Sequence, residues 1–201
     1  MYSYIFDIGG VLLNFDYKNI IETLSQKTNC ETDKIGDLLF KKEYIYPVET
    51  GKITGKEFFI GFVQQIMPQL TYEEWILHHI DNCTVNKSGI DLLLELKGRG
   101  KDVYLLSNLA EYHKIAWEKS YPDIFKICRK NFLSYIMGCH KPEREIYLKV
   151  CNGIGKEAGL CVFFDDTKKN IEGAIGAGLI GIQFSNENIS KIKMMINELE
   201  P

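Results

Sequence analysis

Apolar residues fall at helical spacing over 17–28, 33–42, 56–67 and 72–82, with no convincing strand between Tyr17 and about Asn86. Thr54 stands three positions before Glu57, and Thr71 three before Glu74, which predicts capping boxes at two helix starts. Pro47 and Pro68 interrupt the series where connections are expected. Ahead of this block, 2–6 is a short aromatic and β-branched run that reads as a buried strand. It stops on Asp7 and the Gly9-Gly10 pair, and 11–15 reads as a short apolar flap. From Ser88 the rhythm alternates. Helices are predicted over 89–96, 110–119, 143–151 (with Pro142 as first residue), 170–177 and 189–199. Between them lie strands over 103–106, 132–135, 161–164 and 179–184, an alternation that predicts an α/β fold with a doubly wound parallel sheet.

One spacing sets the domain organisation. Asp7 and Ser107 end neighbouring βα units yet stand 100 positions apart. A βαβ crossover needs only about 30 residues, so roughly 70 are surplus. The stretch 17–86 is therefore expected to be a helical cap over the carboxyl edge of the sheet, inserted into a core formed by 1–16 and 87–201.

Composition narrows the partners. The chain has 201 residues, 45% of them hydrophobic and 25% charged, with a net charge of −3. That balance gives no reason to expect nucleic acid or an anionic membrane, and no apolar run approaches membrane-spanning length. No basic segment precedes Tyr2, so no secretory leader is expected. The six cysteines include no C-x-x-C pair and read as reduced, packed thiols of a cytoplasmic protein. Nothing in the pattern specifies an oligomeric state.

The chemistry gathers at strand ends. Asp7, Ser107-Asn108, the loop carrying Lys141, and Asp165-Asp166 each follow a predicted strand, at the edge where doubly wound sheets bind ligands. Alone, Asp7 is open to three readings: metal ligand, nucleophile or turn cap. Carboxylates from the first and fourth of these strands would form a hard-oxygen site of the kind Mg²⁺ takes. A hydroxyl with neighbouring amides, plus one lysine, would suit a phosphoryl group. Other patterns fail on context. The G-x-G-x-x-G match at 176–181 follows a helix and precedes a strand, the reverse of a dinucleotide site. Lys52 lacks the adjacent Ser or Thr of a P-loop. His78 and His79 are about 100° apart on one helix and cannot share a metal. His140 borders Lys141, with a site role and a structural role equally open.

The ordered set FDIGGVLL, ETGKITGKEF, LLSN, HKPEREIY and FFDD resembles the haloacid-dehalogenase (HAD) superfamily, and most closely its glucose-1-phosphate phosphatase-like and soluble epoxide hydrolase phosphatase-like members. The resemblance implies a Rossmann-like core with a helical cap between the first and second motifs. It implies an Mg²⁺-dependent phosphatase acting on a small phosphomonoester, such as a sugar 1-phosphate, through an aspartyl-phosphate. Asp7 would be nucleophile and metal ligand. Ser107 and Asn108 would hold phosphoryl oxygens, and Lys141 would bridge nucleophile and phosphate. Asp166 and the Gly9 carbonyl would bind Mg²⁺, with Asp165 in its outer shell. One position departs: the family usually carries an acid two residues after the nucleophile, where this chain has Gly9. Asp16 and His140 are the first places to look for a replacement. Two rivals remain, a non-catalytic protein binding a phospho-ligand or partner, and a dehalogenase, which would not need the Asp165-Asp166 pair.

Overall fold

The first strand, β1 (Ser3–Phe6), is buried at all four positions and lies in the middle of the sheet. This computed structural model describes residues 1–199. After β1 the chain turns through Gly10 into β2 (Leu13–Phe15) and then enters a run of helices. These are α1 (Tyr17–Thr28), α2 (Thr32–Phe40), α3 (Lys42–Glu49), α4 (Gly55–Phe58), a π-helical stretch Phe59–Val63, α5 (Gln64–Ile66) and α6 (Tyr72–Asp81). Both expected capping boxes form: the Glu57 amide donates to Thr54 Oγ1 at 3.1 Å, and the Glu74 amide to Thr71 Oγ1 at 3.2 Å. The block has its own apolar core, built on Leu24, Phe58, Val63 and Trp75, which also takes in Ala110 and Tyr112 from beyond it.

The chain leaves the block through β3 (Cys83–Val85) and continues as α7 (Lys87–Gly98), β4 (Asp102–Ser107), α8 (Glu111–Ser120), α9 (Pro122–Ile127), β5 (Asn131–Leu133), α10 (Ser134–Met137) and α11 (Arg144–Ile154). It closes with β6 (Cys161–Asp165), α12 (Lys168–Gly176), β7 (Ile180–Gln183) and α13 (Ile189–Leu199). The five-stranded sheet has the order β5-β4-β1-β6-β7 and is parallel throughout. Alternate residues of each strand feed opposite faces. Tyr4, Phe6, Leu105 and Phe164 pack with α7, α8, α9 and α13, while Ile5, Leu106 and Phe163 pack with α11 and α12. The expected α/β doubly wound fold is what forms.

Several local expectations are corrected. Residues 11–15 are not a free flap, and 17–86 is not strand-free: β2 and β3 pair antiparallel, Leu13 opposite Val85 and Phe15 opposite Cys83. The paired stretch is too short for periodicity to register. Pro47 lies inside α3. There, at the sixth of eight positions, it forgoes one helical hydrogen bond, a loss that a short, tertiary-anchored helix tolerates. A further helix, α9, follows Pro122, where none is expected. Pro142 does not open a helix. The Lys141–Pro142 peptide is cis, the Glu143 amide closes a turn onto the His140 carbonyl at 2.9 Å, and α11 begins at Arg144. All six cysteines are buried free thiols, and no helix among the described residues is long and apolar enough to cross a membrane.

Candidate active site

The carboxyl edge of the central strands carries the polar residues that interrupt an otherwise apolar sheet. Asp7 extends the β1–β6 ladder by one step, its amide donating to the Phe164 carbonyl at 2.9 Å. The Ile8 amide donates to Asp7 Oδ1 at 2.7 Å, which fixes the carboxylate at the strand end. The chain then turns sharply at Gly10, whose φ is +68°. A Cβ there would lie 2.1 Å from Asp166 Oδ2, so only glycine lets the turn pass this close to the Asp166 carboxylate.

Lys141 comes from the loop between α10 and α11. The Asn108 side chain holds that loop at two points: its Nδ2 donates to the Lys141 carbonyl at 2.9 Å, and the Lys141 amide donates to its Oδ1 at 2.8 Å. Buried at its tip, the Lys141 Nζ lies 2.9 Å from Asp7 Oδ2 and 2.6 Å from Asp165 Oδ2. Asp165 is wholly buried and also accepts from the Thr167 amide at 2.8 Å and from Asn170 Nδ2 at 3.1 Å. Asp166 is exposed. One carboxylate oxygen from each of Asp7, Asp165 and Asp166 lies within 4.8 Å of the others. Two of these three carboxylates share the Lys141 ammonium, and together the three make a hard-oxygen set that fits a small divalent cation.

Electrostatics follow from this crowding. Burial pushes the Asp7 carboxyl up to about 7; Lys141 and a hydrogen bond from Ser107 work against the shift, while Asp165 adds to it. Burial opposes the charge on Lys141, but the two carboxylates more than offset this and hold its ammonium above the ordinary range. Desolvation and the neighbouring Asp165 raise Asp166.

Asp7, Gly9, Ser107, Asn108, Lys141 and Asp166 line one cavity of ≈ 270 Å³, so the predicted site residues meet, with Asp165 directly beneath them. The two candidates for a replacement acid do not join them. Asp16 is exposed and caps α1, accepting from the Asn19 amide, and the His140 ring packs against Tyr46 with centroids 4.7 Å apart. Neither lines the cavity. Phe15, Tyr17, Glu49, His113, Trp117, Thr167 and Asn170 do, and sequence reasoning did not place them there. Only Glu49 left a signal, as the first residue of the ETGKITGKEF stretch.

A sesquiterpene phosphatase, astK, of Aspergillus oryzae is 26% identical over 185 residues, covering 90% of this chain and 89% of its own length. The D-ribitol-5-phosphate phosphatase of Bacteroides thetaiotaomicron is 28% identical over 198 residues, covering 92% and 91%. A HAD family enzyme of Bacteroides thetaiotaomicron, solved in complex with magnesium and inorganic phosphate, superposes with a TM-score of 0.78 at 26% identity, covering 92% of this chain and 94% of that one. The haloacid dehalogenase-like hydrolase family matches residues 3–178, a span that holds β1, the helical block and every group around the cavity. The chain belongs to that family of hydrolases.

Proposed function

We propose that the protein is an Mg²⁺-dependent phosphatase of small phosphomonoesters, with Asp7 as the nucleophile that forms an aspartyl-phosphate. The observation that carries this reading is the Lys141 ammonium shared between Asp7 and Asp165 at the floor of a cavity also lined by Asp166 and Ser107. Mg²⁺, held by Asp7, Asp166 and the Gly9 carbonyl, would offset the charge between two anions, the carboxylate and the phosphoryl group. Asp165, saturated by Lys141, Thr167 and Asn170, suits the outer shell, and the more exposed Asp166 the inner one. Lys141 orients Asp7 and draws its carboxyl toward the ionised form that attacks phosphorus. Ser107, beside the nucleophile, is placed to donate to a phosphoryl oxygen. Asn108 acts by fixing the loop that presents Lys141. The helical block reads as a cap, since Tyr17 and Glu49 bring it to the cavity wall.

The relatives support phosphate-ester hydrolysis while differing in substrate, a sesquiterpenoid in one and a ribitol phosphate in the other. For this chain, a sugar or polyol phosphate is the proposed class. The test is inorganic phosphate release across a panel of sugar, polyol and terpenyl phosphates. Turnover is expected to require Mg²⁺ and to fall at least ~10³-fold in Asp7→Asn, a loss of about 4 kcal/mol in transition-state stabilisation. A tenth of wild-type activity surviving in that variant would remove Asp7 as nucleophile. Phosphate binding without turnover on any ester would make the chain a phospho-ligand binder instead.

A further inference from the structure

Gly9 leaves the reaction without a proton donor for the departing oxygen, and the cavity has few groups to supply one. Lys141 is committed to two carboxylates, Asp7 and Asp166 belong to the anionic cluster, and burial holds His113 well below its ordinary range and therefore neutral. Glu49 remains. Among the described residues it is the one carboxyl that the helical block contributes to the cavity, and no hydrogen-bond or ion-pair partner meets it. We propose that Glu49 is the general acid–base residue of the reaction, protonating the departing ester oxygen and then deprotonating the water that hydrolyses the aspartyl-phosphate. This rests on the phosphatase reading above.

The position of Glu49 is built rather than incidental. On one side of it the Tyr46 ring packs edge-on against His140, next to Lys141. On the other, Gly51 has a φ of +67°, and a Cβ there would lie 2.1 Å from the Tyr135 carbonyl oxygen, so the end of α3 presses against the backbone of α10. Between these anchors Thr50 is buried and its Oγ1 donates to the Tyr46 carbonyl at 2.7 Å. The charge state also suits the role. Burial pushes the Glu49 carboxyl up to about 7, against the opposing pull of Lys141. Acid and base forms are then both abundant near neutrality, as a group that gives and takes one proton per turnover requires. The groups facing it are the Tyr17 and Tyr112 phenols, neutral His113 and Lys141, with Asp7 and Asp166 sharing the cavity.

The steps balance. An Asp7 oxygen bonds to phosphorus as the ester P–O bond breaks, and the electron pair moves to the ester oxygen, which takes the Glu49 proton and leaves as an alcohol. Water then attacks phosphorus and gives a proton back to Glu49. The bond to Asp7 breaks, its electrons return to the carboxylate, and phosphate departs.

The experiment compares p-nitrophenyl phosphate, whose leaving group is stable as an anion, with benzyl phosphate, whose leaving group is not. In Glu49→Gln, kcat/KM on benzyl phosphate, which reports the departure of the ester oxygen, is expected to fall about 10²–10⁴-fold, the usual worth of general acid catalysis, with kcat/KM on p-nitrophenyl phosphate losing less than about tenfold; kcat falls on both, because both share the aspartyl-phosphate whose hydrolysis needs the Glu49 base. Wild-type kcat/KM on benzyl phosphate should decline above about pH 7 as Glu49 loses its proton, and Glu49→Gln should abolish that decline. Glu49→Asp, which keeps an acid, should fall between. Equal losses of kcat/KM on both substrates, or none, or an alkaline decline that persists in Glu49→Gln, would overturn the proposal. Asp7→Asn separates the two readings. If it is inactive on both substrates while Glu49→Gln is unselective, the phosphatase reading stands and this one falls. If it stays active, both fall. Melting provides a readout independent of turnover. A carboxyl raised from about 4.5 to about 7 on folding costs nothing below pH 4.5, and its penalty grows until about pH 7. Glu49→Gln should therefore melt with the wild type at pH 4 and above it at pH 8. Coincident melting at pH 8 would place the carboxyl in water and sink the proposal.

Discussion

Two adjacent glycines at the head of the site have different reasons to be glycine. At Gly10 both the positive φ and the 2.1 Å approach to Asp166 exclude a side chain. Gly9 lies outside the left-handed region, and a Cβ there would meet only the edge of the Phe15 ring at 3.2 Å. That contact asks the ring to give by a few tenths of an ångström, and the backbone at Gly9 does not itself demand glycine. If Glu49 carries the proton, the double variant Glu49→Gln/Gly9→Asp should regain at least about tenfold of the kcat/KM on benzyl phosphate that Glu49→Gln loses, while kcat/KM on p-nitrophenyl phosphate changes little. No recovery in a double variant that melts like Glu49→Gln would mean that proton supply is not what the single variant lacks.

The elements that hold the proposed catalytic groups were legible in the sequence to the extent that each one ends on a polarity change. β1, β4 and β6 are apolar runs that stop on Asp7, Ser107 and Asp165, so the strands and their site residues announced themselves together. Glu49 was not legible as a site residue. It reaches the cavity only because α3 docks on α10, a tertiary contact between an eight-residue helix containing a proline and a four-residue helix that has no periodicity to read. The β2–β3 ribbon was missed for a similar reason: of Cys83, Thr84 and Val85 only the cysteine is buried, so no alternation signals a strand. Element docking can be tested apart from the acid itself. Gly51→Ala forces a Cβ onto the Tyr135 carbonyl at a positive φ, a strain on the order of 1–3 kcal/mol, and should lift the end of α3 off the core. The kcat/KM on benzyl phosphate should drop by more than tenfold, with kcat/KM on p-nitrophenyl phosphate and Mg²⁺ binding affected much less. A uniform loss on both substrates would mean that α3 holds the whole site together rather than one group.

At the scale of the molecule, the two passages of the chain between core and helical block run side by side. The Asp16 amide donates to the Asn82 carbonyl at 3.0 Å, the Asn86 amide to the Leu12 carbonyl at 2.9 Å, and Tyr121 Oη to the Cys83 carbonyl at 2.6 Å. The cap boundary we propose therefore falls at the ribbon, with 17–82 as the cap and β3 retained by the core. Replacing 17–82 with a short Gly/Ser linker should leave a folded core that binds phosphate and Mg²⁺ but no longer discriminates among phosphate esters. Removing 17–86 deletes β3 and should lower the melting temperature further, as read by circular dichroism; equal melting of the two truncations would show that the ribbon belongs to neither part. Ala110 and Tyr112, buried against the block, set a cost for both deletions. The parallel order of the sheet has its own consequence, for the protein during its synthesis. β1 pairs with β4 and β6, which follow it in synthesis by roughly 100 and 160 residues. At about 5–20 residues per second, β1 waits roughly 5–20 s for its first neighbour and longer for its second. The helices of 17–81, rich in local contacts, can assemble in that interval. The central strand of the finished sheet is thus, for its first seconds, an apolar segment with two open edges, and the nascent chain is exposed to aggregation at the segment that ends on Asp7.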